Sequence, residues 1–88
     1  MPVVVDFWSH TCPHCLRLNP EFEAAAVSED CPAKFVKVSV QDAMPLFGQH
    51  RVSTVPTLVL FRGGQELARQ SGARTKDEIL AWLKEHLA

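Results

Sequence analysis

Two cysteines separated by two residues form the part of the sequence best suited to chemistry. Cys12-Pro13-His14-Cys15 follows the apolar run Val3–Trp8 and precedes a helical pattern. If a helix starts at Cys12, both sulfurs meet across one turn, and the unpaired N–H groups at the helix start favour a thiolate. Pro13 fits because proline is favoured at the first helical position. The tetrapeptide therefore predicts a redox-active dithiol in which the exposed Cys12 is the nucleophile and Cys15 resolves the mixed disulfide.

Metal binding is the main alternative for a short cysteine spacing. A zinc finger or ribbon needs a second ligand pair at matching spacing, and here Cys31 stands alone before Pro32. We interpret Cys31 as a free thiol, packed or exposed. We expect neither a metal ion nor a cofactor, because four ligands within six residues that partly form a helix are geometrically awkward. A metal- or cluster-binding module remains an alternative, with the ligands His10, Cys12, His14 and Cys15.

Hydrophobic periodicity predicts the element order βαβαββα. Residues 63–64 are a Gly-Gly pair, which signals a two-residue hairpin turn. Pro20 is placed to kink the first helix, whose apolar positions include Leu16, Phe22, Ala26 and Val27. The predicted elements are a strand at 3–8, a helix from 12 or 13 to about 28, a strand at 35–40, a short helix at 41–50, strands at 57–61 and 65–70, and a last helix after a capping box at Thr75 and Glu78.

Length and composition limit the range of functions. With 88 residues, 47% of them hydrophobic, the chain should form one domain, residues 1–88. Nine basic and ten acidic side chains give a net charge of −1, so we expect no nucleic-acid partner. No segment has the length of a membrane span and no secretory signal is evident, so we expect no membrane partner and a cytoplasmic location.

Five motifs occur along the chain: Val4-Val5-Asp6-Phe7-Trp8, the Cys12 and Cys15 pair with Pro20 five residues later, Val55-Pro56-Thr57, Phe61-x-Gly63-Gly64 and Gly72-Ala73. Together, at these spacings, they resemble the thioredoxin superfamily. The resemblance implies an α/β thioredoxin fold with a four-stranded mixed sheet, the first and last helices on one face and the middle helix on the other. It also implies a cis Val55–Pro56 peptide that faces the cysteines.

The chain departs from the superfamily pattern in two ways. Thioredoxin proper has a further strand and helix before the strand that carries Asp6, so the resemblance is to a minimal version of the fold. The Cys-Pro-His-Cys sequence is similar to that of periplasmic disulfide-forming oxidoreductases, but only forty residues separate Cys15 from Pro56, which leaves no room for their helical insertion. Active site and scaffold therefore resemble different branches.

Three further side chains are candidates for catalysis. A cationic His14 would stabilise the Cys12 thiolate, although it could also be a solvated histidine without an electrostatic role. Asp6 lies among apolar residues, so we expect it to be buried with a raised pKa. By resemblance, Asp6 relays a proton to or from the resolving thiol and Lys37 is its neighbouring lysine. The alternatives are an Asp6 bonded to a backbone partner and a Lys37 with its head in solvent.

A protein substrate would lie beside the dithiol. The resemblance implies an apolar ledge and an extended backbone that pairs with the substrate. Trp8 could instead belong to the core. The candidate substrate-binding residues are Trp8, Thr11, Pro13, Val55, Pro56, Gly72 and Ala73.

The sequence predicts a thiol–disulfide oxidoreductase acting on protein disulfides and recycled by a reductase or an oxidase. A thioredoxin-like adaptor whose dithiol matters little is a further alternative. Without the additional strand of thioredoxin proper, the strand at 35–40 should lie at a sheet edge. We therefore expect a monomer or a weak dimer formed through that strand.

Overall fold

The computed structural model describes residues 1–88 and has the predicted order βαβαββα. Thr75 and Glu78 form the predicted capping box at the start of the last helix. None of the three helices is both long and apolar enough to cross a membrane. The elements are β1 (Val3–Trp8), α1 (Pro13–Ala26), β2 (Lys34–Ser39), α2 (Val40–Gln49), β3 (Thr57–Arg62), β4 (Gln65–Ser71) and α3 (Lys76–Leu87).

The four strands form one mixed sheet in the order β2-β1-β3-β4. β1 runs parallel to β2 and antiparallel to β3, and β3 pairs with β4 in an antiparallel hairpin. Gly63 and Gly64 form the hairpin turn with φ values of 61° and 80°, a region in which glycine avoids the steric cost of a side chain. The predicted mixed sheet is confirmed, and β1, which carries Asp6, is a central strand.

Alternating side chains of β1 and β3 face opposite layers, as the strand period of two requires. On one face, a buried cluster joins Val4 and the β3 leucines to α1 and α3. On the other face, Phe7 packs edge-on against Phe47 of α2, with ring centroids 5.1 Å apart. The predicted placement of the helices on the two faces is therefore confirmed, and Asp6 lies on the same face as Val4, beneath α1.

The first helix differs from the expectation in its end and its buried face. It ends at Ala26 and continues through Pro20 as one element. Its buried residues are Cys15, Leu18, Phe22 and Ala25, whereas Leu16, Ala26 and Val27 are exposed. Leu16 lies about 100° around the helix from the buried Cys15, so it points away from the sheet, whereas Ala26 and Val27 are exposed as the last helical residue and the C-cap.

The second helix begins one residue earlier than expected. Val40, assigned to the strand from sequence, is the first residue of α2 because Ser39 caps this helix by accepting from the Asp42 N–H. Ala43 has non-helical dihedral angles, and Pro45 follows two residues later. Proline lacks an N–H and its ring clashes with the preceding turn, which accounts for the break.

β2 occupies one edge of the sheet, and Val36 on this strand is 43% exposed. The unpaired N–H and C=O groups of an apolar edge strand invite a second chain. We expect weak self-association through β2 that Val36→Lys removes, because two like charges would then face each other across the paired edges. Sedimentation equilibrium at high protein concentration measures this. Leu67→Lys on the opposite edge strand β4 is the matched control, and a wild-type protein that stays monomeric throughout contradicts the expectation.

Candidate active site

The dithiol lies at the start of α1. Cys12 is the N-cap residue, Pro13 is the first helical residue, and the Sγ atom of Cys12 accepts a hydrogen bond from the Cys15 N–H at 3.2 Å. Both cysteines are free thiols; Cys12 is partly exposed and Cys15 is fully buried. The Cys12 sulfur therefore lies at the positive end of the helix dipole, with a backbone N–H directed at it.

The Cys15 thiol is hard to ionise. Burial raises the pKa of the Cys15 thiol to about 12, and its hydrogen bond to Cys12 adds to this effect. Cys15 is therefore almost entirely protonated at neutral pH. For Cys15 to attack a disulfide, a base must remove its proton as the attack proceeds.

We expect Cys12 to be alkylated faster than Cys15 or Cys31 in the reduced protein at pH 7. Cys12 is partly exposed and its sulfur accepts a backbone N–H at the helix start, whereas Cys15 is buried and Cys31 donates its Sγ–H to the Ala33 carbonyl at 3.1 Å. Mass spectrometry of tryptic peptides after a short iodoacetamide pulse measures the order. Guanidine-unfolded protein, in which the three rates should converge, is the control, and faster labelling of Cys31 contradicts the assignment.

Asp6 is a buried acid directly beneath the start of α1. Its side chain is fully buried, and burial raises its pKa to about 7 against a smaller lowering by the positive charge of Lys37. Lys37 is the register partner of Asp6 on β2. The Nζ atom of Lys37 lies 3.4 Å from Glu23 Oε1 and 5.0 Å from the centroid of the Trp8 ring. A carboxyl group with a pKa near neutrality can both take up and release a proton at pH 7.

Asn19 was not singled out from the sequence, yet it contacts both Asp6 and Cys15. In the amide orientation that satisfies its neighbours, the Asn19 side-chain nitrogen donates to Asp6 Oδ2 at 3.0 Å and to the Cys15 carbonyl at 3.2 Å. The spacing offered a signal, because Asn19 follows Cys15 by four residues and so lies on the same helix face. Because asparagine side chains are mostly exposed in proteins, the residue type alone favoured a position in solvent.

His14 is exposed, and its imidazole contacts the guanidinium of Arg17. Arginine can only donate, so Nδ1 of His14 is the acceptor in this contact. The structure thus places the imidazole one residue from Cys12 but hydrogen-bonded to Arg17 and not to the Cys12 sulfur.

The candidate substrate ledge is partly assembled around Cys12. The Sγ atom of Cys12 lies 3.7 Å from the Val55 carbonyl, the Val55–Pro56 peptide is cis, and the Gly72 N–H donates to the Pro56 carbonyl at 3.0 Å. Val55 is thereby brought to Cys12 and Gly72 to Pro56, whose side chain is fully buried, and Ala73 is exposed next to Gly72. This arrangement places the half-buried Val55 beside the Cys12 sulfur.

The loop between β1 and α1 carries the other candidates. Trp8 is half-buried, with the His10 ring 4.3 Å from its own, and Pro13 is exposed. The Thr11 hydroxyl lies 3.1 Å from that of Ser9. Gln41 of α2 donates to Ser9 Oγ at 2.9 Å and accepts from the His10 N–H at 3.3 Å. Gln41 therefore anchors this loop. The sequence could not reveal this role, because Gln41 lies more than thirty positions after Ser9 and His10.

The ligands of the metal-binding alternative are not gathered. No three His, Cys, Asp or Glu side chains lie close enough together to hold a metal ion. The His10 ring contacts the Trp8 ring at a tilt of 52°, whereas the His14 ring contacts Arg17. The geometry of this loop is that of a capped helix and a dithiol.

Comparison with known proteins is consistent with this geometry. The Thioredoxin family model matches residues 1–85. A thioredoxin of Mycoplasma genitalium is 38% identical over 78 residues, covering 89% of this chain and 76% of the relative. Protein disulfide-isomerase A3 of Gallus gallus is 40% identical over 82 residues, covering 93% of this chain and 16% of that longer protein. The structure of Fasciola hepatica thioredoxin superimposes with a TM-score of 0.85 at 30% identity, covering 97% of this chain and 80% of that one.

Proposed function

Because the chain belongs to the thioredoxin family, we propose that it is an enzyme that exchanges its Cys12/Cys15 dithiol with disulfides in protein substrates. The observation that carries the proposal is the pairing of a partly exposed Cys12 sulfur with the N–H of a fully buried Cys15 at the helix start. One thiol is placed to react with a substrate, and the other is shielded from it. This asymmetry suits a two-step exchange.

In the first step, the Cys12 thiolate attacks one sulfur of the substrate disulfide. A bond forms between Cys12 Sγ and that sulfur, the substrate S–S bond breaks, and the other substrate sulfur leaves as a thiolate that takes a proton from water. The N–H of Cys15 and the helix dipole stabilise the attacking thiolate. The product is a mixed disulfide between the protein and its substrate.

In the second step, Cys15 resolves the mixed disulfide. The Asp6 carboxylate takes the Cys15 proton, the Cys15 sulfur bonds to Cys12 Sγ, and the bond between Cys12 and the substrate breaks. The substrate sulfur leaves as a second thiolate and is protonated. Two electrons have then passed to the substrate, and Cys12 and Cys15 form a disulfide. Asp6 suits this role because burial raises its pKa to about 7, while that of Cys15 is raised to about 12.

Substrate recognition is proposed to rest on backbone and apolar contacts. The proposal is supported by the Val55 carbonyl, which lies against the Cys12 sulfur, and by Gly72, which donates to the Pro56 carbonyl. The proposed surface is extended, without an added net charge, by Ala73, Trp8, Thr11 and Pro13. An extended substrate backbone that pairs beside Val55 would be accepted with little regard to sequence.

A reductase or an oxidase must return the Cys12/Cys15 pair to its starting state after each turnover. In the proposed cytoplasmic setting a reductase would do so, because that compartment keeps thiols reduced. The test is reduction of insulin disulfides by catalytic amounts of protein with dithiothreitol as the electron source. Precipitation of the insulin B chain at the rate of dithiothreitol alone would refute the proposal, and equilibration with glutathione would give the reduction potential.

His14 is expected to tune that potential. His14→Pro should lower the reduction potential by about 30–60 mV, because His14 holds the Arg17 guanidinium at the start of the helix, and losing a positive charge that favours the reduced form by ~1.4–2.8 kcal/mol makes the dithiol easier to oxidise. Proline is tolerated in the first helical turn, where the N–H has no partner within the helix. Glutathione equilibration measures the change, and His86→Ala on α3 is the control. An unchanged potential would mean that the imidazole is not coupled to the sulfur.

A further inference from the structure

We infer that Asn19 is a positioning residue that holds the Asp6 carboxyl in one orientation and so makes Oδ1 the oxygen that exchanges the proton of Cys15. The inference rests on the proposed function. It adds Asn19, which affects the reaction only through its contacts with Asp6 and the Cys15 backbone.

The hydrogen bonds of Asn19 leave the two Asp6 oxygens inequivalent. The two N–H bonds of the Asn19 amide are directed to Asp6 Oδ2 and to the Cys15 carbonyl. Asp6 Oδ1 is buried and has no hydrogen-bond partner. Because Oδ2 already accepts a hydrogen bond, a proton taken up by the carboxyl is best accommodated on Oδ1.

The Asn19 amide also connects the Asp6 carboxyl to Cys15, the residue whose proton Asp6 exchanges. Asn19 lies on the turn of α1 that follows Cys15, and its second N–H reaches the Cys15 carbonyl. The Asp6 carboxyl and the Cys15 backbone are therefore held by one planar group. A rotation of the carboxyl about its Cβ–Cγ bond would break a buried, charge-assisted hydrogen bond, which is costly.

No other group around Asp6 makes this contact. Lys37 of β2 affects Asp6 through its charge and has its Nζ paired with Glu23 of α1. β3 places the uncharged Leu58 opposite Asp6, and α3 adds apolar residues of the core cluster, such as Ile79, to this face of the sheet. Cys15 is the titratable neighbour from α1, and Cys12 lies beyond it. Asn19 is thus the side chain that hydrogen-bonds to Asp6.

A hydrogen bond donated to a carboxylate favours its ionised form. Burial raises the pKa of Asp6, and the hydrogen bond that Asn19 donates opposes this increase. Removing the donor should therefore raise the pKa of Asp6 and shift the second step of the exchange to higher pH. The attack by Cys12 does not use Asp6 and should keep its pH dependence.

The variant Asn19→Leu tests the inference, because leucine keeps the volume and loses both N–H groups. We expect the pKa of Asp6 in the reduced protein, followed by the carboxyl carbon shift in ¹³C NMR, to rise by about 1. Asn19→Ala should also raise the pKa of Asp6, and it replaces Asn19→Leu as the test if the leucine variant does not fold. Ala26→Asn, on the exposed end of α1, is the matched control and should leave the value unchanged.

Stopped-flow reaction with 5,5′-dithiobis(2-nitrobenzoate) separates the two exchange steps, since each releases one coloured thiolate. In Asn19→Leu, the midpoint of the second phase should move up by the same amount as the pKa of Asp6, with about a tenfold slower second phase below that midpoint. The first phase should not change. In the Asp6→Asn background, Asn19→Leu should have no further effect on the second phase.

The outcomes separate the inference from the proposed function. A pKa of Asp6 that is the same in wild type and in both folded Asn19 variants overturns the positioning role. A second phase that slows equally at every pH also overturns it, because that result describes only a structural role. If the pKa rises as expected while wild-type protein fails to reduce insulin, the Asn19 contact stands and the proposed function fails.

Discussion

Replacing Cys12 with serine is expected to reduce insulin reduction to the rate of dithiothreitol alone. A serine hydroxyl does not ionise near neutral pH and cannot form the mixed disulfide, so neither step of the exchange can proceed. The fold should be retained, because Cys12 is partly exposed and a serine oxygen is itself a favourable N-cap acceptor for the Cys15 N–H. The turbidity assay on insulin measures the loss, and circular dichroism checks the fold.

Two matched variants show whether the loss is specific. Cys31→Ser should keep wild-type activity, since Cys31 contacts Ala33 outside the site. Cys15→Ser should complete the first step and then accumulate a covalent complex with insulin, visible by non-reducing electrophoresis, because the resolving thiol is gone. Appreciable turnover by Cys12→Ser would assign the chemistry to another residue.

Asp6→Asn is expected to make the protein markedly more stable above pH 7. Burial raises the pKa of Asp6 from 3.8 to about 7, so the folded state holds a proton that the unfolded state releases. The resulting stability is fully present below pH 3.8 and is lost as the pH rises to about 7, in total about 4 kcal/mol at 1.36 kcal/mol per pKa unit. Asparagine is neutral at every pH and therefore escapes this loss.

Urea denaturation at several pH values between 4 and 8 measures the effect. The difference in unfolding free energy between Asp6→Asn and wild type should grow from pH 4 to 7 and level off above it. Asp30→Asn is the control, because the Asp30 side chain is 72% exposed and its replacement should change stability little. A difference that does not vary with pH would mean that Asp6 titrates at its ordinary value, which would also remove it as the proposed base.

Local sequence pattern was sufficient for much of the fold. The apolar run of β1, the Gly63-Gly64 turn and the Thr75 capping box each act over a few residues, and all three lie where the pattern places them. The N-cap position of Cys12 was also predictable, because Pro13 marks the first helical residue. Asp6 could be expected to be buried because its neighbours in the strand are apolar.

Element ends were less predictable, since they depend on competition between single residues. Val40 could have continued β2 or begun α2, and the hydrogen bond that Ser39 Oγ accepts from the Asp42 N–H decides for the helix. The exposed positions Leu16 and Val27 show the same limit in α1. Their apolar type fits a buried face, but the rotation of the helix on the sheet decides which stripe is covered.

The sequence by itself determined the reactive pair, the helix that carries it and the strand that holds a buried acid. Only the tertiary structure decided what surrounds them: the Asn19 amide on Asp6, the Lys37 ammonium paired with Glu23, and the Gln41 anchor of the loop before Cys12. Backbone propensity and apolar period act over a few residues, so they can be read along the chain. A hydrogen bond between side chains needs atoms within about 3 Å, and that precision arises only when packed elements have fixed their mutual rotation and height.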